Sequence, residues 1–208
     1  LYEKLHTYDH FVKDGEYSKY PMFSCFVPYF NELSGKTWGI IGLGTIGLRV
    51  ANIANSFGCR IIYYSTSGQN NNTDYIQSDY ETLLKESDII SIHCPLNKNT
   101  LKLIDTHSFD LMKPSALLLN LARGPIIDED ALYNALIDEK IAGAGLDVLS
   151  SEPIPKSSSL LKIKDSTKLL ITPHMAWGTK EARARCLDEV YKNIKAFING
   201  QDRNIVTE

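Results

Sequence analysis

The sequence has no long hydrophobic run, no cysteine cluster and no stretch dominated by charge of one sign. No apolar segment approaches the roughly 20 residues that span a bilayer as a helix, so no membrane partner is expected. Cys25, Cys59, Cys94 and Cys186 are scattered and form no CxxC pair. Such spacing fits free thiols in a reducing cytoplasm better than disulfides or a zinc site. The net charge is −3 and there is no basic stripe, so no nucleic-acid partner is expected. His6 and His10, four apart on a predicted helix, read as an exposed pair rather than a metal site. No signal peptide and no internal repeat are found, and a chain opening on Leu1 is expected to lack its native start.

What is present suits a globular domain. The 208 residues are 43% hydrophobic, enough for the core of one domain or one domain plus an appendage. Short apolar runs, many β-branched, predict strands near 37–41, 60–64, 88–92, 116–120, 142–147 and 168–171. Helices are predicted over 46–57, 79–86, about 105–111, and 128–138. A long one follows over about 179–199, with Ala182, Cys186, Val190, Ile194 and Phe197 on one stripe. Alternating β and α predict an α/β fold, a doubly wound parallel sheet with right-handed crossovers. The polar run Ser67 to Thr73 predicts a surface loop. Residues 1–34 read as a helix on Leu1, Leu5, Tyr8 and Val12, ended by Gly15 and followed by an aromatic segment. Its Tyr17, Tyr20, Phe23, Phe26, Tyr29 and Phe30 must cover the domain's own flank or form a subunit contact, and a contact is favoured.

The most informative segment is Lys36 to Gly47, a predicted buried strand that turns through Gly42-Leu43-Gly44-Thr45-Ile46-Gly47 into a helix. A bare GxGxxG arises by chance, and a tight turn without ligand is its plain alternative. In the strand-to-helix context, the first glycine permits the turn and the second lets the backbone approach a pyrophosphate. The third brings helix and strand together. Phosphates would sit at the helix N-terminus, where unpaired N–H groups favour negative charge. Ligands of open α/β sheets gather at the carboxyl ends of the strands. There the sequence places the glycines, Ser65-Thr66-Ser67, His93-Cys94-Pro95, Asn120 to Gly124, Asp147 and Thr172-Pro173-His174.

Gly42 to Gly47, Leu121-Ala122-Arg123-Gly124-Pro125-Ile126-Ile127-Asp128, Gly143 to Val148, Glu152-Pro153 and Thr172-Pro173-His174 occur in an order and spacing that resemble the D-isomer-specific 2-hydroxyacid dehydrogenases. The resemblance covers about residues 36–200. From Gly58 to Thr66 and along Glu189 to Phe197 it is most similar to hydroxypyruvate reductases and glycerate dehydrogenases. It implies a Rossmann cofactor domain over 35–178, with 1–34 as crossover helix and aromatic interface segment. Residues 179–208 would be a helix and tail leading back to a substrate domain. That substrate domain is expected to be largely absent from these residues, so the chain alone should bind cofactor but turn over poorly.

The resemblance also assigns roles. Arg123, Glu152 and His174 become the catalytic residues. Arg123 offers a planar fork for a carboxylate and carbonyl oxygen, and His174 exchanges a proton with the substrate oxygen. Glu152 beside the imidazole would favour its charged form. Thr45 and Ile46 meet the pyrophosphate, Cys94 and Pro95 flank the adenosine, and Leu121 to Arg123 approach the nicotinamide side. Asp147 takes the carboxamide. Where NAD-specific members carry an acid for the ribose, this chain has Ser65, so NAD is expected with NADP possible. The implied activity is hydride transfer between a nicotinamide cofactor and a small 2-hydroxy or 2-oxo acid, of hydroxypyruvate or glyoxylate type. A cytoplasmic homodimer is expected. The alternative is an NAD(H)-sensing, corepressor-like binding protein of the same fold, which the aromatic segment would suit.

Overall fold

Every predicted apolar run becomes a parallel strand. The computed structural model describes residues 1–70 and 72–206. They form β1 (Thr37–Ile41), β2 (Arg60–Tyr64), β3 (Ile76–Gln77), β4 (Ile89–Ile92), β5 (Leu117–Asn120), β6 (Gly143–Leu146) and β7 (Leu169–Ile171). The helices are α1 (Leu5–Lys13), α2 (Thr45–Ser56), α3 (Tyr80–Glu86), α4 (Thr106–Leu111), α5 (Glu129–Ile137) and α6 (Lys180–Ile198). The sheet order is β3-β2-β1-β4-β5-β6-β7, and every pairing is parallel. The chain moves outward from β1 to β3, then returns to place β4 beside β1. That reversal is the switch point at which such sheets open a crevice for ligands.

One face of the sheet packs Ile41, Ile90, Ile92, Leu118 and Leu146 in a core with Leu83 and Leu84 of α3, Phe109 of α4 and Leu132 of α5. On the other face Ile40, Ile61 and Tyr63 share a core with Ala51 and Ala54 of α2. Burial of both faces explains why the strands read as continuous apolar runs without alternation.

Two expectations need correction. The sheet has seven strands, not six. The extra β3 is two exposed residues paired with β2, too short and too polar to announce itself by hydrophobicity. The first helix starts at Leu5 rather than Leu1, because Lys4 takes a left-handed conformation at its N-cap. His6 and His10 on that helix are exposed.

Contacts divide the chain into two compact parts, residues 1–173 and 174 onward. The second is built on α6, whose N-cap Thr179 accepts from the Ala182 N–H (3.1 Å). Arg203 folds the following segment back onto Glu189 (2.6 Å) and Asn193. Among the described residues the four cysteines are free, and no three His, Cys, Asp or Glu side chains gather as a metal site. No described helix is long and apolar enough to cross a membrane.

Candidate active site at the carboxyl ends of the strands

The switch point is where the glycine turn lies. Gly42 has φ +92°, and a Cβ there would fall 2.7 Å from the Cys94 backbone N. Only glycine lets the ends of β1 and β4 approach this closely. At Gly47 a Cβ would strike the Gly42 carbonyl, so the third glycine brings α2 down onto the turn. Gly44 is different. Its backbone is extended, and a Cβ there would meet nothing within 4 Å. Packing therefore does not require a glycine at this position, and the open space leaves the backbone accessible to a ligand.

The start of α2 supports that reading. Asp79, Asp105, Asp128 and Thr179 cap α3, α4, α5 and α6 with their side chains. α2, with Gly44 at its N-cap, has no side-chain cap and no acid in its first turn, a state it shares with α1 alone among the described α-helices. Its first N–H groups suit an anion. Beside them lies a cavity of about 460 Å³ lined by Gly42, Gly44, Ser65, Asn70, His93, Cys94 and Pro95, among others. The donor set and the open Cβ position at Gly44 fit the pyrophosphate of a dinucleotide.

The cavity walls carry little charge. Burial pushes His93 down to about 4, so its imidazole is neutral at pH 7. The Trp38 indole donates to Ser91 Oγ (2.9 Å), and the same hydroxyl is hydrogen-bonded to His93 Nε2 (3.1 Å). Burial likewise pushes the Cys94 thiol up to about 11, where it is protonated and a poor nucleophile. Ser65 is buried and adds an uncharged hydroxyl to the cavity lining.

A family model for the NAD-binding domain of D-isomer specific 2-hydroxyacid dehydrogenases matches residues 1–176. The chain belongs to this family. It is 37% identical over 199 residues to a glycerate dehydrogenase of Methylorubrum extorquens, covering 96% of this chain and 62% of that protein. It is 42% identical over 201 residues to a glyoxylate reductase of Thermococcus litoralis, covering 93% of this chain and 58% of the relative. A solved acyclic imino acid reductase in complex with NADPH and D-Arg superposes with TM-score 0.86 at 34% identity. That match covers 99% of this chain and 63% of the other. The chain thus spans about three fifths of the length of these relatives. The expected Rossmann-type NAD-binding domain is what the fold and the family establish.

Within this dehydrogenase-family domain, the remaining candidates sit on the β5 and β6 ends. Asn120, fully buried at the end of β5, accepts from the Ala122 N–H (3.0 Å) and donates to the Arg123 carbonyl (2.9 Å). Both ends of its amide shape the turn that carries Arg123. Arg123 itself is exposed, and its Nη1 donates to the Ala122 carbonyl (2.7 Å). At Gly124 a Cβ would fall on the Leu149 carbonyl carbon, so the loop after β5 lies directly on the loop after β6. In the second loop Glu152 Oε1 accepts from the Leu149 N–H (2.8 Å). Asp147 is buried and accepts from Thr172 Oγ1 (2.6 Å), and its N–H donates to the Asn120 carbonyl (3.0 Å). Asp147, Leu121 and Thr172 share a largely apolar cavity of about 360 Å³.

Gly42, Gly44, Ser65, Cys94 and Pro95 therefore line one cavity, and Leu121 and Asp147 line another. Thr45 and Ile46 are exposed on the first turn of α2, while Ala122 is half-buried beside Arg123. His174 opens the second compact part at φ +50°, a left-handed conformation uncommon outside glycine. Asn120 and Gly124, placed by the sequence among the strand-end candidates without a role, are positioning residues. Their signal was present in the spacing Asn120-x-x-Arg123-Gly124, but only the hydrogen bonds and the backbone approach give it meaning.

Proposed function

We propose that the protein transfers hydride between NAD(H) and a small 2-oxo or 2-hydroxy acid of the hydroxypyruvate or glyoxylate type. The observation that carries this reading is the contact of the Arg123 and Glu152 loops through Gly124, on the same edge of the parallel sheet as a turn suited to a dinucleotide. Thr45 and Ile46 hold the pyrophosphate through backbone N–H groups. Ser65 bonds the adenosine ribose, with Cys94 and Pro95 flanking the adenosine. Leu121 and Ala122 wall the nicotinamide side, and Asp147 accepts from the carboxamide. The bound nicotinamide supplies the hydride acceptor or donor. Arg123 anchors the substrate carboxylate and polarises its carbonyl. His174 exchanges the proton of the substrate oxygen, and Glu152 supports its charged form. General acid–base catalysis of this kind contributes about 10²- to 10⁴-fold.

NAD is the expected cofactor, with NADP also accepted, because Ser65 brings no charge to repel a 2′-phosphate. Residues 1–34 serve as crossover and interface, 35–178 as the cofactor domain, and 179–208 as the return toward a substrate domain. Exposure of Phe23 (90%), Tyr29 (80%) and Phe26 (69%) supports a homodimer contact. Free thiols support a cytoplasmic setting. The same exposed aromatics favour the second reading, an NAD(H)-sensing assembly protein. The test is oxidation of NADH and NADPH by the full-length protein in the presence of hydroxypyruvate, glyoxylate, pyruvate and phosphohydroxypyruvate. Turnover with the first two supports the enzyme; cofactor binding with no turnover across the panel supports the sensor.

A further inference from the structure

The polar loop after β2 does more than lead the chain to the edge strand. It folds over the glycine turn: the Asn70 side-chain amide donates to the Leu43 carbonyl (2.6 Å), and its backbone N–H donates to Ser65 Oγ (3.4 Å). The same side chain has a second bond, separable from the first. Its Oδ1 accepts from the Asn72 N–H (2.9 Å), a local turn of the kind asparagine forms by itself. Asn70 is half-buried and lines the cavity that also contains Gly42, Gly44 and Cys94.

Leu43 sits between the first two motif glycines. Its carbonyl is a partial negative charge close to the place where the uncapped start of α2 favours an anion. A donor held on that carbonyl offsets the charge and fixes the turn in one conformation before ligand arrives, which lowers the cost of binding. We infer that Asn70 is a positioning residue for the dinucleotide: its amide, clasped on the Leu43 carbonyl, sets cofactor affinity without taking part in the reaction. This rests on the cofactor reading above and adds to it a residue outside the glycine motif.

Two substitutions separate the clasp from the turn. Asn70→Asp keeps the shape and the acceptor for the Asn72 N–H but has no donor for Leu43 at neutral pH. Asn70→Ala loses both bonds. Nicotinamide-fluorescence titration of the 208-residue chain with NADH, beside the melting temperature without ligand, reads the outcome. Both variants should bind NADH about 5- to 10-fold more weakly, the size of one hydrogen bond. Asn70→Asp should be at least as weak as Asn70→Ala, because its carboxylate adds like charge near the pyrophosphate. The melting temperature of Asn70→Asp should fall by no more than about 4 °C, the loss one hydrogen bond allows. Wild-type affinity in Asn70→Asp would assign Asn70 to the turn alone and overturn the clasp. Affinity that falls only in step with the fraction folded would overturn it as well. A wild-type chain that binds neither NADH nor NADPH would refute the cofactor reading and the clasp with it. Wild-type binding with both variants unchanged would refute the clasp alone.

Discussion

Gly44→Ser should make the domain more stable and its cofactor site worse. Gly44 is extended at φ −81° and ψ −163°, a conformation that serine adopts without strain, and its Cβ position is open. Serine there becomes an N-cap for α2, accepting from a first-turn N–H that has no side-chain partner now. Loss of glycine also reduces the freedom of the unfolded chain, worth about 0.4–1 kcal/mol. A gain of about 1 kcal/mol raises Tm by roughly 2–4 °C in a chain of this size. Binding moves the other way. The side chain displaces the anion from about 4 Å to about 6 Å from a helix terminus carrying about half a charge, which costs about 0.7 kcal/mol at an effective dielectric of about 20. One hydrogen bond to a charged group, about 1.5–3 kcal/mol, is lost as well. The sum, about 2–4 kcal/mol, weakens NADH binding roughly 30- to 700-fold. Thermal melts and NADH titration of the same preparation measure both. Unchanged affinity, or a lower Tm, would refute the reasoning that Gly44 is kept open for a ligand.

Other substitutions separate positioning from packing. Gly124→Ala drives a methyl into the Leu149 backbone and should cost about 1–3 kcal/mol, read by urea unfolding. Asn120→Ala leaves the Ala122 N–H and Arg123 carbonyl without their present partner, and should cost about 2–4 kcal/mol by the same measurement. It should also lower the reduction rate more than cofactor affinity, since its turn carries Arg123. His93 has a folded pKa near 4 against 6.5 ordinarily, so the unfolded chain binds the extra proton first. Its contribution is constant above pH 6.5 and stability falls as pH drops from 6.5 toward 4, by up to about 3 kcal/mol. Denaturation across that range should show the slope, and His93→Gln should flatten it.

The fold was legible because burial on both sheet faces writes itself as short apolar runs, and each of the six predicted strands lies within a residue of its observed ends. β3 was not legible, since two exposed residues carry no period. The predicted helix starts at 79, 105 and 128 fall on the N-caps Asp79, Asp105 and Asp128 of α3, α4 and α5. The glycine turn was readable from spacing, yet spacing could not tell the glycines packed against backbone from the one with open space around it. Gly42 and Gly47 are packed against backbone, and Gly44 is not. The roles of Asn70 and Asn120 stayed hidden for a different reason. Each acts on a backbone carbonyl, and sequence does not say where a carbonyl points.

The central claim is a dinucleotide at the switch point between β1 and β4. It is tested most directly by amide NMR spectra of the 208-residue chain with and without NADH. Saturable changes should be concentrated at Gly44, Thr45, Ile46 and Gly47, with Ser65, Asn70 and Cys94 following. An absence of saturable change through the millimolar range, or change confined to residues away from these strand ends, would contradict it.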